Sequence, residues 1–390
     1  MNLNIGRSFG NSLTHPLHMH SKSLFLLVCI FCVTGSYAQY TTDKVLGPKN
    51  QSLADSLKKM EYRYMLPIWG KKVVAKGFNI PKSAGLSAQY LYQQSDILIT
   101  DLSVGFNNGP LHPLDQVIRF NSAVATSNGA NVRPDIWLFP FLNIYGILAK
   151  SKTSTEIDAG VWLPDSSGWR EVGNIHTKAN FNATTLGFGI TPTFGARGYF
   201  FALDMNFSWS DVDALEKPAF VYIIGPRFGK NITLKKKNRN IAMWIGGFRV
   251  KMGSETTGSL STSELFPIDQ WQSQIDQSNQ KLQESQQKVD AWWSGLTPAE
   301  QKNPVNVAKH EAANAALTTF GKVVDGASQI VSNAGNSSIQ YSLNKTQKTP
   351  WNFLIGSQYQ INRDWMIRAE YGFLGTRTQL IVGLQWRFNL

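Results

Sequence analysis

The side chains that could do covalent chemistry in this 390-residue chain are few and scattered. Of six histidines, His15, His18 and His20 belong to the amino-terminal stretch, leaving His112, His176 and His310. A histidine acting as a general base needs a carboxylate or a nucleophile within hydrogen-bond reach. His112 sits between prolines (Pro110-Leu111-His112-Pro113), in a loop expected at the periplasmic end. His176 follows Asp165 and Glu171, and His310 falls in a helical stretch. None lies on a strand face opposite a candidate nucleophile, so no catalytic residue is assigned and no enzyme is expected. The two cysteines, Cys29 and Cys32, lie within an apolar leader. Isolated histidines without thiols do not make a metal site, and no metal or other cofactor is expected. Glycine pairs such as Gly246-Gly247 lie inside strands and mark close packing rather than a phosphate loop.

What remains is a set of charges repeated on one face of alternating segments: Asp101, Arg119, Asp204, Arg227, Arg249, Lys251, Arg368, Glu370, Arg377 and Arg387. Seven are basic and three acidic. On an enclosed wall such charges either pair across strands, as Arg368 and Glu370 would, or form a basic constriction that favours anionic solutes.

The elements that must position them follow from the period of the sequence. Even positions from Thr378 to Leu390 are apolar or Thr; the odd set is Arg377, Gln379, Ile381, Gly383, Gln385, Arg387 and Asn389. A period of two is a β-strand with one apolar and one polar face. Trp365 to Phe373 and Trp351 to Ile361 repeat it, as do segments around Leu98, Thr184, Tyr199 and Ala242. In the last of these, Ala242, Trp244, Phe248 and Val250 are read as the outer face, opposite Arg249 and Lys251. A soluble sandwich would bury the apolar face; a transmembrane barrel turns it to lipid. Strands of the length needed to cross a bilayer, and polar faces rich in Gly, Ser, Asn and Gln, favour the barrel. So do aromatics at strand ends: Tyr359, Trp365, Trp386 and Phe388 at one level, Trp351 and Tyr371 at the other, giving two membrane-interface girdles.

The predicted fold class is all-β: an antiparallel up-and-down transmembrane barrel of about 12 strands, with an α-helical hairpin in one external loop. The strands are placed near 84–94, 96–108, 116–127, 137–152, 155–164, 180–192, 197–212, 217–231, 239–253, 350–361, 364–374 and 377–390. Residues 168–179 either prolong the sixth or form another. The segment Pro134 to Gly146 has the look of a family signature, to which no function attaches.

The terminal Gln385-Trp386-Arg387-Phe388-Asn389-Leu390, closing an alternating strand, resembles the carboxyl-terminal signal of bacterial outer-membrane β-barrel proteins. It departs from the commonest form in placing two residues after the aromatic. The resemblance implies a bacterial outer-membrane location, contact with outer-membrane lipid, and a last strand read by the barrel-insertion machinery.

The rest of the chain fits that organisation. Residues 1–38 carry a long amino-terminal region, the apolar run Ser23 to Thr34 and small residues before Ala38, the pattern of a secretory signal peptide cleaved near Ala38. Residues 39–82 form a periplasmic segment with a short helix capped at Ser52. Residues 83–253 and 350–390 supply the barrel, and 254–349 an insert. There, Ile268, Ile275, Leu282 and Val289 recur every seven residues, with Trp271 and Trp292 alongside. Ala313, Leu317, Phe320, Val324, Ala327 and Val331 mark a second helix. Strand parity puts this insert on the external side and the turn Lys235-Lys236-Lys237 on the periplasmic side. The net charge of +12 would suit nucleic acid, but in an exported chain it belongs to a lumen or surface, and no nucleic-acid partner is expected. Two functions follow: a channel or transporter for small solutes, anionic ones included, or a non-conducting barrel anchoring the hairpin for adhesion or complex assembly. In the second, residues 262–345 are the candidate face for a protein partner; in the first, they are a lid or a plug.

Overall fold

A computed structural model describes residues 61–390 except 79, 167, 214, 216, 237, 254, 262–267 and 333–337. The expected signal peptide and the helix expected after Ser52 lie outside the described residues. Thirteen strands occur in chain order: β1 (Ala84–Phe106), β2 (His112–Pro113), β3 (Ile118–Phe139), β4 (Leu142–Asp165), β5 (Gly168–Ala196), β6 (Tyr199–Val212), β7 (Ala219–Thr233), β8 (Asn240–Met252), β9 (Glu255–Ser261), β10 (Ser338–Gln347), β11 (Trp351–Gln360), β12 (Trp365–Phe373) and β13 (Arg377–Phe388).

Ten of them form a ring in the order β1-β3-β4-β5-β6-β7-β8-β11-β12-β13, closed by β13 returning to β1; β2, β9 and β10 lie outside it. The seam is antiparallel and unbroken from Ala84↔Phe388 to Ser95↔Arg377. The expected count of about 12 is therefore corrected to ten. The first two expected strands are one, since β1 runs straight through Ser95-Asp96. The three expected over 116–164 are two, joined at Pro140-Phe141. That turn escapes notice because its residues are apolar. Residues 168–179 prolong β5, which reaches 29 residues.

The ring's outer face is an apolar belt. Ile245 is 64% exposed and lies between Phe228 and Ile355, 53% and 47% exposed, on the neighbouring strands. On β3, β4 and β5 the belt ends at Val132, Leu148 and Leu186; beyond it the outward positions Asn128, Lys150, Lys152, Asn182 and Thr184 are exposed and polar. On β12 it spans the nine residues from Trp365 to Phe373, within the ~9–11 a tilted strand needs to cross a bilayer. Trp365 pairs with Trp386, which contacts Phe388 at one edge, while Trp351 and Tyr371 mark the other.

The two ends differ. The lower end carries the carboxyl terminus and the turns at 140–141, 197–198 and 362–363. It also holds α1 (Gly70–Ala75), where the Ile68 amide donates to Leu138 O (2.9 Å) and Trp69 lies 5.0 Å from Phe139. At the upper end β1 outgrows the seam and exchanges β13 for β10, from Ile97↔Gln347 to Phe106↔Ile339; β10 in turn pairs β9. There β3, β4 and β5 also rise beyond the belt. His112, in β2, pairs with Val104 at this upper end, not in a lower loop as expected, because β1 is one strand rather than two.

The insert is a helical hairpin: α2 (Ile268–Ser294), a turn α3 (Pro298–Gln301) and α4 (Pro304–Ser332). Thr297 and Glu300 form a capping box before it turns back, and Trp293 stacks on His310 at 4.1 Å. Its apolar stripes do not only zip together. Ile275, Val289, Ala313, Ala316, Leu317, Phe320 and Val324 share one core with Leu114, Val117, Val161 and Leu163 of the strand extension. The side chains of Ile268, Trp271 and Val331 lie outside the described residues. Odd positions of β4 face the lumen at Tyr145 and, without a change of face, the hairpin core at Leu163. The hairpin thus lies on the lumen side of the extension, above the ring's mouth.

Candidate functional site

Inside the ring, small residues let long side chains cross whole strands. Arg227 on β7 reaches over β8 and β11 to Glu370 on β12, with Nε donating to Oε1 (2.8 Å) and Nη2 to Oε2 (3.1 Å). Its Nη1 donates to Asp204 on β6. Glu370 also accepts from Arg368 Nη2 (2.6 Å) and from the Trp244 indole N–H (2.9 Å). Asp204 accepts from the Thr191 hydroxyl, and the Tyr145 hydroxyl donates to Asn206 Oδ1 (2.9 Å) across Gly189. Two guanidinium groups and two carboxylates balance in this layer. Asp204, Arg227 and Glu370 are buried, so the pairing offsets a desolvation cost that lone charges could not bear. Beside it Phe200, Ala202, Trp244, Phe248 and Leu354 fill the lumen. A barrel of about eight strands is just wide enough for side chains to fill, and diameter grows only in proportion to strand number, so large side chains can fill ten.

A second cluster lies lower. Asp135 on β3 accepts from Asn143 (2.9 Å), from Gln385 (2.7 Å) and from Arg387, whose guanidinium lies 3.0 Å away on β13. The contact spans β1 because Gly85 intervenes: a Cβ there would stand 2.4 Å from Asp135. Arg387 also donates to Lys82 O (2.9 Å). Arg377, near the top of the seam, is 3% exposed; its guanidinium lies 5.5 Å from the Phe248 ring and has no hydrogen-bond partner among the described residues.

Six of the ten expected lumen residues thus point inward: Asp204, Arg227, Arg368, Glu370, Arg377 and Arg387. Four do not. Asp101 is exposed, at φ 56°, on the bulged part of β1 above the ring. Arg119 lies above the belt, stacked 4.2 Å over Trp162 and 5.8 Å from Trp169. Arg249 and Lys251 face outward at the upper rim, because it is Ala242, Trp244 and Phe248 that are buried inside. Both faces of β8 are apolar there, so alternation alone inverts it. Missed were Asp135, Trp137, Asn143 and Tyr145, all inward-facing and all within the Pro134 to Gly146 segment whose composition had stood out. His176 is on β5, facing out beside Glu156 (3.4 Å) and Asp158 (3.8 Å), not beside Asp165 or Glu171. Hydrogen bonds from Asn174 and Asn121, and the His176 ring, hold the Asp158 carboxyl below its ordinary range. Among the described residues no cluster of three His, Asp or Glu side chains is placed to hold a metal.

The class these features define is a closed antiparallel β-barrel, apolar outside, with paired charges and apolar side chains together filling its lumen. No family model and no curated protein matches the chain. Solved structures similar to it include the translocator domain of the autotransporter NalP from Neisseria meningitidis (9% identity, 87% of this chain and 93% of that one, TM-score 0.31). The transport unit of the autotransporter AIDA-I from Escherichia coli (9%, 88% and 97%, 0.30) and the Ralstonia pickettii toluene transporter TbuX (9%, 80% and 90%, 0.26) are others. Likeness at that level adds nothing to what the strand pairing itself establishes.

Proposed function

We propose that this chain is an integral barrel of the bacterial outer membrane that does not conduct, and that holds its helical hairpin at the external face for a protein partner. One observation carries the reading: the charged layer around Arg227 and Glu370 ties β7 to β12 through the middle of the lumen, with every charge balanced. The belt width and aromatic edges support the membrane location. The shared core of hairpin and extension supports a rigid platform rather than a loose loop. Sidedness follows if both chain ends are periplasmic: the hairpin end is then external.

Planar-bilayer recordings test this. The folded full chain, and a variant with residues 268–332 replaced by a short Gly-Ser linker, are expected to give no steady conductance. Ohmic channels in the full chain would refute it and restore the transporter reading. An unchanged set of pulldown partners on removing the hairpin would refute the platform role.

A further inference from the structure

Below the charged layer the lumen is open. A cleft with a cavity volume of about 100 Å³ runs from Asp204 and Arg368 down to Pro81 and Gln360 at the lower rim. Its charges can be accounted for one by one. Arg227 and Arg368 match Asp204 and Glu370, and Arg387 matches Asp135. Arg133 remains. Its guanidinium lies on the Tyr145 ring at 3.9 Å, and no carboxylate among the described residues pairs with it. Four residues along the same inward face of β3 is Trp137, 4% exposed, whose indole N–H is closed off from the cleft. A cation over an aromatic face is pre-oriented without being neutralised. Asp135 stands between the two, but Arg387 and two amides already satisfy it.

We infer that this cleft binds a small polar monocarboxylate entering from the lower end, its carboxylate held by Arg133. The single surplus positive charge sets the monoanion. Gln89, Gln385 and Asn143, which also line the cleft, give the ligand's hydroxyl or amide groups partners. That the pocket is blind rests on the closed-lumen reading above; that it binds does not.

The test is calorimetric titration of the folded full chain with sodium gluconate, a polyhydroxy monocarboxylate, against glucose as the neutral control. Saturable gluconate binding without glucose binding is expected. Arg133→Gln should weaken it by about tenfold or more, the loss of one charge-assisted hydrogen bond. Arg133→Lys should retain part of it. Heat-dependent gel mobility shows which variants are folded. No gluconate binding, equal binding of glucose, or binding indifferent to Arg133→Gln would overturn the inference. If the barrel conducts yet gluconate binding depends on Arg133, only the closed-lumen reading falls; if it neither conducts nor binds, only this inference does.

Discussion

Replacing Glu370 with leucine bears most directly on how the lumen is held. The carboxylate accepts four hydrogen bonds: two from Arg227, one from Arg368 and one from the Trp244 indole. Glu370→Leu removes all four and leaves two guanidinium groups facing one carboxylate, Asp204, where two faced two. Removing one partner of a buried pair costs about 3–5 kcal/mol, because the surviving charge stays desolvated. Glu370 is 5% exposed and Arg227 8%, so solvent screening does little to reduce this. The double change Arg227→Met with Glu370→Leu keeps the layer neutral and should cost clearly less than the two single changes together. Urea unfolding of the barrel in lipid vesicles, followed by gel mobility, measures both. A single-variant cost below about 1 kcal/mol, or strictly additive costs, would refute the claim that the layer acts as one unit.

Ile245→Arg places a cation mid-way along the belt between Phe228 and Ile355; it should cost about 2–4 kcal/mol in vesicles, and a neutral result would mean the belt does not face hydrocarbon. Phe320→Ala empties part of the core shared by hairpin and extension and should cost about 3–5 kcal/mol of docking. Proteolysis should then cut the hairpin while the ring keeps its folded gel mobility; equal resistance would show the helices dock elsewhere. Because Asp158 has its carboxyl lowered in the folded state, its contribution is complete above the ordinary carboxylate range and is lost as pH falls through the lower, folded value. Protease protection of the β4–β5 extension should thus weaken only in strong acid, and Asp158→Asn should remove that step.

The closing strands were legible because their two faces differ in chemistry. On β12 and β13 the outward set is Trp365, Ile367, Tyr371, Leu380 and Trp386, and the inward set includes Glu370, Arg377 and Arg387. Period two then fixes the inside without structural help. On β8 it cannot, since Trp244 points in and Ile245 points out, and a filled lumen takes apolar residues as readily as lipid does. Asp101 and Arg119 were misplaced for another reason: alternation carries no mark of where a strand leaves the ring. The hairpin's stripes were readable, but their true partner was not, because Leu114, Val117, Val161 and Leu163 lie over a hundred positions away in the chain.

The change of partner along β1 has a mechanical side. One continuous strand is zipped to β13 over its first twelve residues and to β10 over its last ten. A pull on the hairpin passes along the backbone into β8 and β11, since β9 follows β8 and β10 leads into β11, and the pairing of β10 with β1 adds the barrel's own closing seam, loaded in shear. A load taken in that direction is shared among many bonds rather than opening them one at a time. Whatever grips the helices is moored twice: through the backbone to β8 and β11, and sideways through β10 to the joint where the first strand meets the last.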